Sequence, residues 1–452
     1  MLIKKNLIFF LAIIFSSSGL TAQHDLKNTQ LDNWHYSSPR DSVKGIDLIG
    51  AYDIIENLTQ KPKIITVAIL DTGMDIDHED LKPQVFKNKK EKQDKVDNDK
   101  NGYTDDISGW NFLGSPNDTL NVESVGTVFF REFKRLYPKY EHLGAEASKH
   151  LSESDKLEYI YFQTMRKKAG IGSYLQFFDY LKSFTNAYLH IDSLMTSQYP
   201  NKHTKIDDFR KLTIDSVSAI SFDIVNSRTF MLDSTIQWKL VLDEKLSEYL
   251  VAEKRVKSLN DTSSPRDFIK DNPNDISDIY YGNKNVKVDM DHATFVAGIV
   301  AATRNNGIGI DGITNNIKIM PVRVVPNGDE YDKDVAVGIK YAVDNGAQII
   351  NMSFGKYLSP HSKWVEEAVK YATEKNVLLI HASGNDGYNI DSIPTFPSRY
   401  TPNQKESKSF IRVGASDENG FPIAISNYGK KEVDLFAPGY NIYSLSGDNS
   451  YT

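Results

Sequence analysis

The spacing of apolar residues changes twice along this chain. Residues 63–70, KIITVAIL, form an unbroken, largely β-branched run of strand length. The run shows no alternation of apolar and polar positions, which predicts a strand buried on both faces, as in parallel sheets. From residue 113 to residue 287 the spacing lengthens to threes and fours, as at Tyr174, Phe177, Phe178, Leu181 and Phe184. That spacing predicts amphipathic helices whose aromatic stripes form a core of their own. After residue 288 short apolar runs return and alternate with helical patterns. ATFVAGIVAAT reads as a helix of small residues, IKIMPVRVV as a strand, and DKDVAVGIKYAVDNG as a helix closed by Gly346. QIINMS, VLLIHAS and SFIRVGA read as further strands, and a helix is expected with Ser359 as N-cap and Pro360 at its first position. Strand–helix alternation of this kind predicts an α/β domain built on a mostly parallel sheet flanked by helices, with a large helical insertion over residues 113–287.

Composition removes several function classes. A net charge of −7 gives no electrostatic reason for a nucleic-acid partner. The absence of cysteine excludes disulfides, thiolate metal sites and a cysteine nucleophile. At the N-terminus, Lys4 and Lys5 precede a short apolar run that gives way to small polar residues near Ala22. This is the three-part pattern of a signal peptide over residues 1–22, and it predicts a secreted or periplasmic protein with no stable membrane span after cleavage. Residues 23–62 read as a polar N-terminal extension.

In open α/β sheets, ligands sit beyond the carboxyl ends of the strands. Those ends carry chemistry here. Residues 63–70 run into Asp71, Thr72 and Gly73; QIINMS runs into Phe354 and Gly355; VLLIHA runs into Ser383, Gly384 and Asn385. His292 opens the helix of small residues, where Ala293 and Ala297 leave room for close approach. An acid can orient a histidine that acts as general base, and an asparagine amide can donate to a developing oxyanion.

These stretches resemble the subtilisin-like serine peptidases, the subtilases. VAILDTGMDIDHEDL resembles the aspartate motif of that family and DHATFVAGIVAAT its histidine motif, which makes Asp71 the acid and His292 the base. NMSFG resembles the segment that binds the substrate backbone, at Ser353, Phe354 and Gly355. HASGNDG resembles the oxyanion segment, with Asn385 as donor and Ala382, Ser383 and Gly384 lining the pocket opposite. FPSRY, VGAS, ISNYG and VDLFAPG follow in the family's order. The resemblance spans residues 34–112 and 288–452, and implies a catalytic domain over 63–112 and 288–452 that hydrolyses peptide or protein substrates.

Three departures stand out. Ala293 and Phe295 occupy positions where the family usually has glycine and a second histidine. The insertion separates Asp71 and His292 far more widely than is usual. In the family a Gly-Thr-Ser motif bearing the nucleophile follows the APG strand, and these 452 residues reach Thr452 before one appears. The expectation is therefore of a subtilase cut short, inactive as this chain alone, with a helix-shaped apolar groove open on its sheet; a peptide-binding protein on the same fold is the rival reading.

One further motif is independent of the triad. In DNDKNGYTDD, oxygen-bearing side chains alternate at Asp97, Asp99 and Asn101 before Gly102, with Asp105 or Asp106 to close the shell. That spacing suits a structural calcium ion, although position twelve is Ser108 rather than glutamate. Asp80 with Asn306 resembles the family's other calcium site. No cofactor is expected for the chemistry itself. His78, in the acidic loop after Asp71, reads as non-catalytic, and His381, at the end of a buried strand, as a core or pocket-wall histidine.

Overall fold

The computed structural model describes residues 33–40, 42–58, 62–200, 202–261, 263–288 and 290–452. The signal-peptide pattern lies outside the described residues. After a short helix α1 (Leu48–Glu56), the chain enters the central strand β1 (Ile65–Asp71). Strands β2 (Trp110–Asn111) and β3 (Ser124–Gly126) precede seven helices: α2 (Val128–Tyr140), α3 (Ala145–Ser148), α4 (Glu153–Lys168), α5 (Ile171–Gln198), α6 (Ile206–Arg210), α7 (Ala219–Thr229) and α8 (Trp238–Lys257). The chain then returns to helix α9 (His292–Ala301), strands β4 (Ile317–Arg323) and β5 (Asn327–Gly328), and helix α10 (Asp332–Asp344). Strand β6 (Ile349–Met352), helix α11 (Ser362–Glu374), strands β7 (Leu378–Ala382), β8 (Phe410–Ser416) and β9 (Leu435–Pro438), and the hairpin β10 (Leu445–Ser446) with β11 (Ser450–Tyr451) complete the order.

Seven strands form one sheet in the order β2-β4-β1-β6-β7-β8-β9. Every pairing in it is parallel. The uninterrupted apolar run of β1 is explained by its central place, with Ile69 and Leu70 buried toward opposite faces. One face packs under α10 and α11, where Leu70, Met320, Val322, Ile350, Met352 and Leu379 meet Ile339, Val365 and Val369. The other face packs under α9, whose Ala293, Ala297 and Ala301 let it lie close to Val67, Ile69 and Ile319. On that same side, Leu378, Ile380, Ile411 and Val413 of β7 and β8 remain only half-buried, leaving an apolar strip partly uncovered.

The helices from α2 to α8 bury apolar clusters of their own. Phe133, Leu136, Tyr140, Phe162 and Met165 join α2 to α4. Tyr188, Ile191, Phe209, Val225 and Trp238 join α5 to α6, α7 and α8. Both ends of this excursion close on one stretch of the α/β core, residues 327–334. On the way out, β3 pairs in parallel with β5, the Val128 amide donates to Asp329 Oδ2 (2.7 Å), and Arg131 donates to the Asp329 and Glu330 carbonyls. On the return, Arg266 forms a fully buried, bidentate pair with Asp334, bonds Asp271 as well, and stacks on Tyr331.

One local expectation is corrected. The last long helix starts at Ser362 with His361 as N-cap residue. The Ser359 hydroxyl donates instead to Asp332 Oδ1 (2.7 Å), because that buried carboxylate also takes Lys356 and the His361 amide.

Candidate active site

Asp71 ends β1 and His292 begins α9, so the sheet edge and the helix start bring them together across 221 positions of sequence. His292 Nδ1 donates to Asp71 Oδ1 at 2.7 Å, and the Thr72 amide donates to the same oxygen at 2.7 Å. Asp71 is buried, whereas the His292 side chain is 53% exposed. With Nδ1–H given to the carboxylate, neutral His292 presents a bare Nε2 as base. The hydrogen bond to Asp71 raises the histidine's pKa above its ordinary 6.5, against the opposing effect of burial. Gly73 makes this corner feasible. Its φ is +107°, and a Cβ there would stand 2.5 Å from Val288 and 2.9 Å from the Val286 carbonyl. The segment returning from the helices can therefore pass directly over the Asp71 turn, where the Met74 amide donates to Val286.

The other residues anticipated from sequence lie on two neighbouring strand ends. Ser353, Phe354 and Gly355 follow β6; Ala382 ends β7, and Ser383, Gly384 and Asn385 follow it. Asn351 Nδ2 donates to the Ser353 hydroxyl (2.9 Å), and Phe354 packs against the core under α10 and α11. Asn385 is exposed, and its amide is not hydrogen-bonded to any described residue. A free amide beside a strand end is what an oxyanion donor requires.

Sequence reading missed the residue that shapes this turn. Asn427, fully buried, accepts from the Asp386 and Tyr388 amides and donates to the Ser383 carbonyl and the Tyr357 hydroxyl. Gly384, at φ +102°, lets it in: a Cβ there would lie 2.3 Å from Asn427 Nδ2. Its segment, ISNYG, reads from sequence only as one of the motifs in the family's order, with no role for the asparagine. Lys356 was also missed; its ammonium is buried on Asp332 (2.7 Å) and the Glu330 carbonyl (2.7 Å), joining the 353–355 segment to residues 327–334. Tyr357 then hydrogen-bonds Asp386, which links the two strand ends, and burial pushes the phenol up to about 12.

In the acidic loop, Asp97 accepts from the Asn101 and Gly102 amides, and Asn101 from the Tyr103 amide. Asp105 is directed to Lys284 and to the amides of residues 94 and 95, and Lys284 holds its carboxyl below the ordinary range. Asp99 lies with Glu91 and Asp106, each offering a carboxylate oxygen within 4.8 Å of the others. Burial pushes Asp106 up to about 6. Asp80 is buried and accepts from Asn306 Nδ2 (2.7 Å) and the Ile310 amide (3.2 Å).

Asp71 and His292 thus form a hydrogen-bonded pair at the carboxyl edge of a parallel sheet, the edge that also carries residues 353–355 and 382–385. The sequence profile described as "Subtilase family" matches residues 134–452. This chain belongs to the subtilase family. The matched span begins inside α2, so Asp71 lies before it. Among similar proteins, the "Cell wall-associated protease" of Bacillus subtilis (strain 168) is 37% identical over 171 residues, 38% of this chain and 18% of that protein. The "Thermophilic serine proteinase" of Bacillus sp. (strain AK1) is 40% identical over 162 residues, 35% of this chain and 37% of that protein. "Thermitase" of Thermoactinomyces vulgaris is 36% identical over 161 residues, 35% of this chain and 53% of that protein. The chain thus spans less than two thirds of these relatives. A crystal structure of a cold adapted subtilisin-like serine proteinase aligns at 27% identity and a TM-score of 0.32, covering 39% of this chain and 58% of that one.

Proposed function

We propose that this protein is an exported serine endopeptidase. The observation that carries the reading is the 2.7 Å bond between His292 Nδ1 and Asp71 Oδ1, made by residues from opposite sides of a long helical insertion. Asp71 fixes the tautomer and orientation of His292. His292 Nε2 takes the proton of a serine hydroxyl as that oxygen attacks the peptide carbonyl carbon. Asn385 donates to the oxyanion that forms, and the imidazolium then returns the proton to the departing amine. The peptide lies as an added strand along 353–355, with 382–384 as the opposite pocket wall.

Among the described residues no serine is hydrogen-bonded to His292. The test is cleavage of unfolded protein and fluorogenic peptides by wild-type and variant proteins. Loss of the Asn385 amide in Asn385→Leu should lower kcat by about 10²–10³ with a small change in KM, the size of effect that an oxyanion donor has in subtilisin. Peptide binding with no cleavage by any form would replace the peptidase reading with the binding one.

The pH profile has a definite sign. Only neutral His292 is a base, and Asp71 holds its pKa above 6.5. Then kcat/KM falls as pH drops through that raised value, and in Asp71→Asn the remaining activity falls at a lower pH. An unchanged midpoint would contradict the pairing.

The acidic loop fits a hard cation. Glu91, Asp99 and Asp106 supply only oxygen, and Asn101 adds an amide oxygen to the same loop. We propose that calcium binds there and stabilises the fold, with Asp97 and Asp105 shaping the loop. Millimolar calcium should raise Tm by about 3 °C over chelator-treated protein, on the scale of ligand linkage at about 100 Kd. Asp99→Asn should abolish that difference; a calcium response that survives the substitution would move the ion elsewhere. Export rests on the signal-peptide pattern, and among the described residues no helix is long and apolar enough to cross a membrane.

A further inference from the structure

A second histidine lies behind the peptide-binding segment, and the acid–base chemistry gives it no task. His381 is 2% exposed, on β7. Its Nδ1 accepts a hydrogen bond from Arg412 Nε (3.2 Å). Because an arginine cannot accept, that bond fixes the tautomer: the ring proton is on Nε2. Yet Nε2 is buried without a partner. A buried, unmade donor is costly, so its direction matters. It points at the peptide-binding segment. A Cβ on Gly355 would lie 3.4 Å from Nε2, and the polar main-chain group it faces is that of Phe354.

The groups around the ring hold it still. Arg412 is fully buried, pairs with Glu432, and donates to the Pro397 carbonyl (2.9 Å). The neighbouring Phe396 is paired through its backbone with Lys356, the residue after Gly355 (3.1 and 2.9 Å). Arg399, on Asp434, adds a second guanidinium nearby. His381 therefore stands between a fixed cation and the segment that would carry a peptide.

We propose that His381 is a positioning residue: with Nδ1 held by Arg412, its Nε2–H is donated to the Phe354 carbonyl and fixes the 353–355 segment in register as a peptide adds to it. Hydrogen bonds at such sites are often open in the free protein and close in the complex. Burial and the adjacent Arg412 charge keep the ring neutral, so the donor remains a donor across the physiological range. This role rests on the peptide-binding reading of residues 353–355, and the experiment separates the two.

The experiment uses the full chain labelled with ¹⁵N, and a fluorescent peptide as probe. In wild type, the imidazole shifts of His381 should report a bare Nδ1 and a protonated Nε2 that do not titrate between pH 5 and 8. Peptide addition should slow amide exchange over residues 353–356. H381L should lose most of that slowing and weaken peptide binding about tenfold, the worth of one hydrogen bond. H381Q, which keeps a donor at similar reach, should recover most of both. The proposal is overturned if His381 titrates near its ordinary pKa, if H381L protects 353–356 as well as wild type, or if H381Q fails to rescue a folded protein. If H381L does not fold, the wild-type tautomer and titration still decide. If wild type binds no peptide at all, the peptide-site reading fails instead, while the imidazole signature remains readable.

Discussion

Replacing Asp71 by asparagine should lower kcat about 10⁴-fold while leaving KM within a few-fold of wild type, a loss of the size that triad acids show in serine peptidases, subtilisin included. The direction follows from the geometry of the pair. Asp71 Oδ1 accepts from His292 Nδ1 and from the Thr72 amide. An asparagine that keeps its oxygen toward Thr72 must point its NH₂ elsewhere, and its neutral oxygen no longer stabilises the imidazolium. An asparagine that turns its NH₂ toward His292 forces Nδ1 to accept, which moves the ring proton to Nε2 and abolishes the base. Neither arrangement touches residues 353–355 or 382–385, where the peptide would bind, so KM should hold. Steady-state kinetics on one fluorogenic peptide decides it, with circular dichroism confirming the fold. A loss below tenfold would remove Asp71 from the mechanism.

The second large effect concerns stability. Arg266→Met should cost about 3–5 kcal/mol, because it leaves buried carboxylates without their cation. Arg266 lies between Asp271 and Asp334, and all three side chains are excluded from water. Tyr281 donates to Asp334, and Lys333 remains on Asp271, so one cation would face two acids. Lysine at the same position should recover only part of the loss, since it cannot make the paired N–H contacts or stack on Tyr331. Urea midpoints measured on wild type, Arg266→Met and Arg266→Lys test this. Glu146→Ala, which removes a solvent-exposed partner of Lys149, is the control and should shift stability by less than about 1 kcal/mol. A loss in Arg266→Met no larger than in that control would show that the buried pair contributes little.

The parts of this molecule legible in the sequence were those set by local pattern. Residues 63–70 announced a central strand because burial on both faces removes alternation. The end of that strand and the start of the small-residue helix marked Asp71 and His292. The spacing of aromatics in threes and fours marked the helices between them. What stayed hidden depends on which distant segments meet. Asn427 acquires its place from Gly384, and Lys356 from Asp332. His381 was visible as a buried histidine, but its neighbour Arg412 is set by the register of β7 against β8. The acidic loop illustrates the same limit. Alternate spacing singled out Asp97, Asp99, Asn101 and Asp105, but the partner of Asp105 is Lys284, 179 positions away. Asp99 meets Asp106, which the same run offered as an alternative to Asp105, and Glu91, whose spacing carries no regular pattern. Ser359 was misread for a related reason: a nearby buried carboxylate outcompetes a helix start for its hydroxyl.

The helical excursion leaves from Asp329 and Glu330 and comes back to Asp334 and Lys333. A chain that departs and returns at one place is a closed loop, whatever its length. The entropy of closing such a loop rises only by about 0.6 kcal/mol per doubling of residues. The core therefore places almost no limit on how long the excursion is or what it carries. It does constrain the two knots at its base, the Arg131 knot and the Arg266 knot. A lineage could exchange everything between them for another module, or for a short turn, and keep the sheet and its Asp71–His292 pair in place. Length variation among close homologues should then fall between these two arginines and not beyond them.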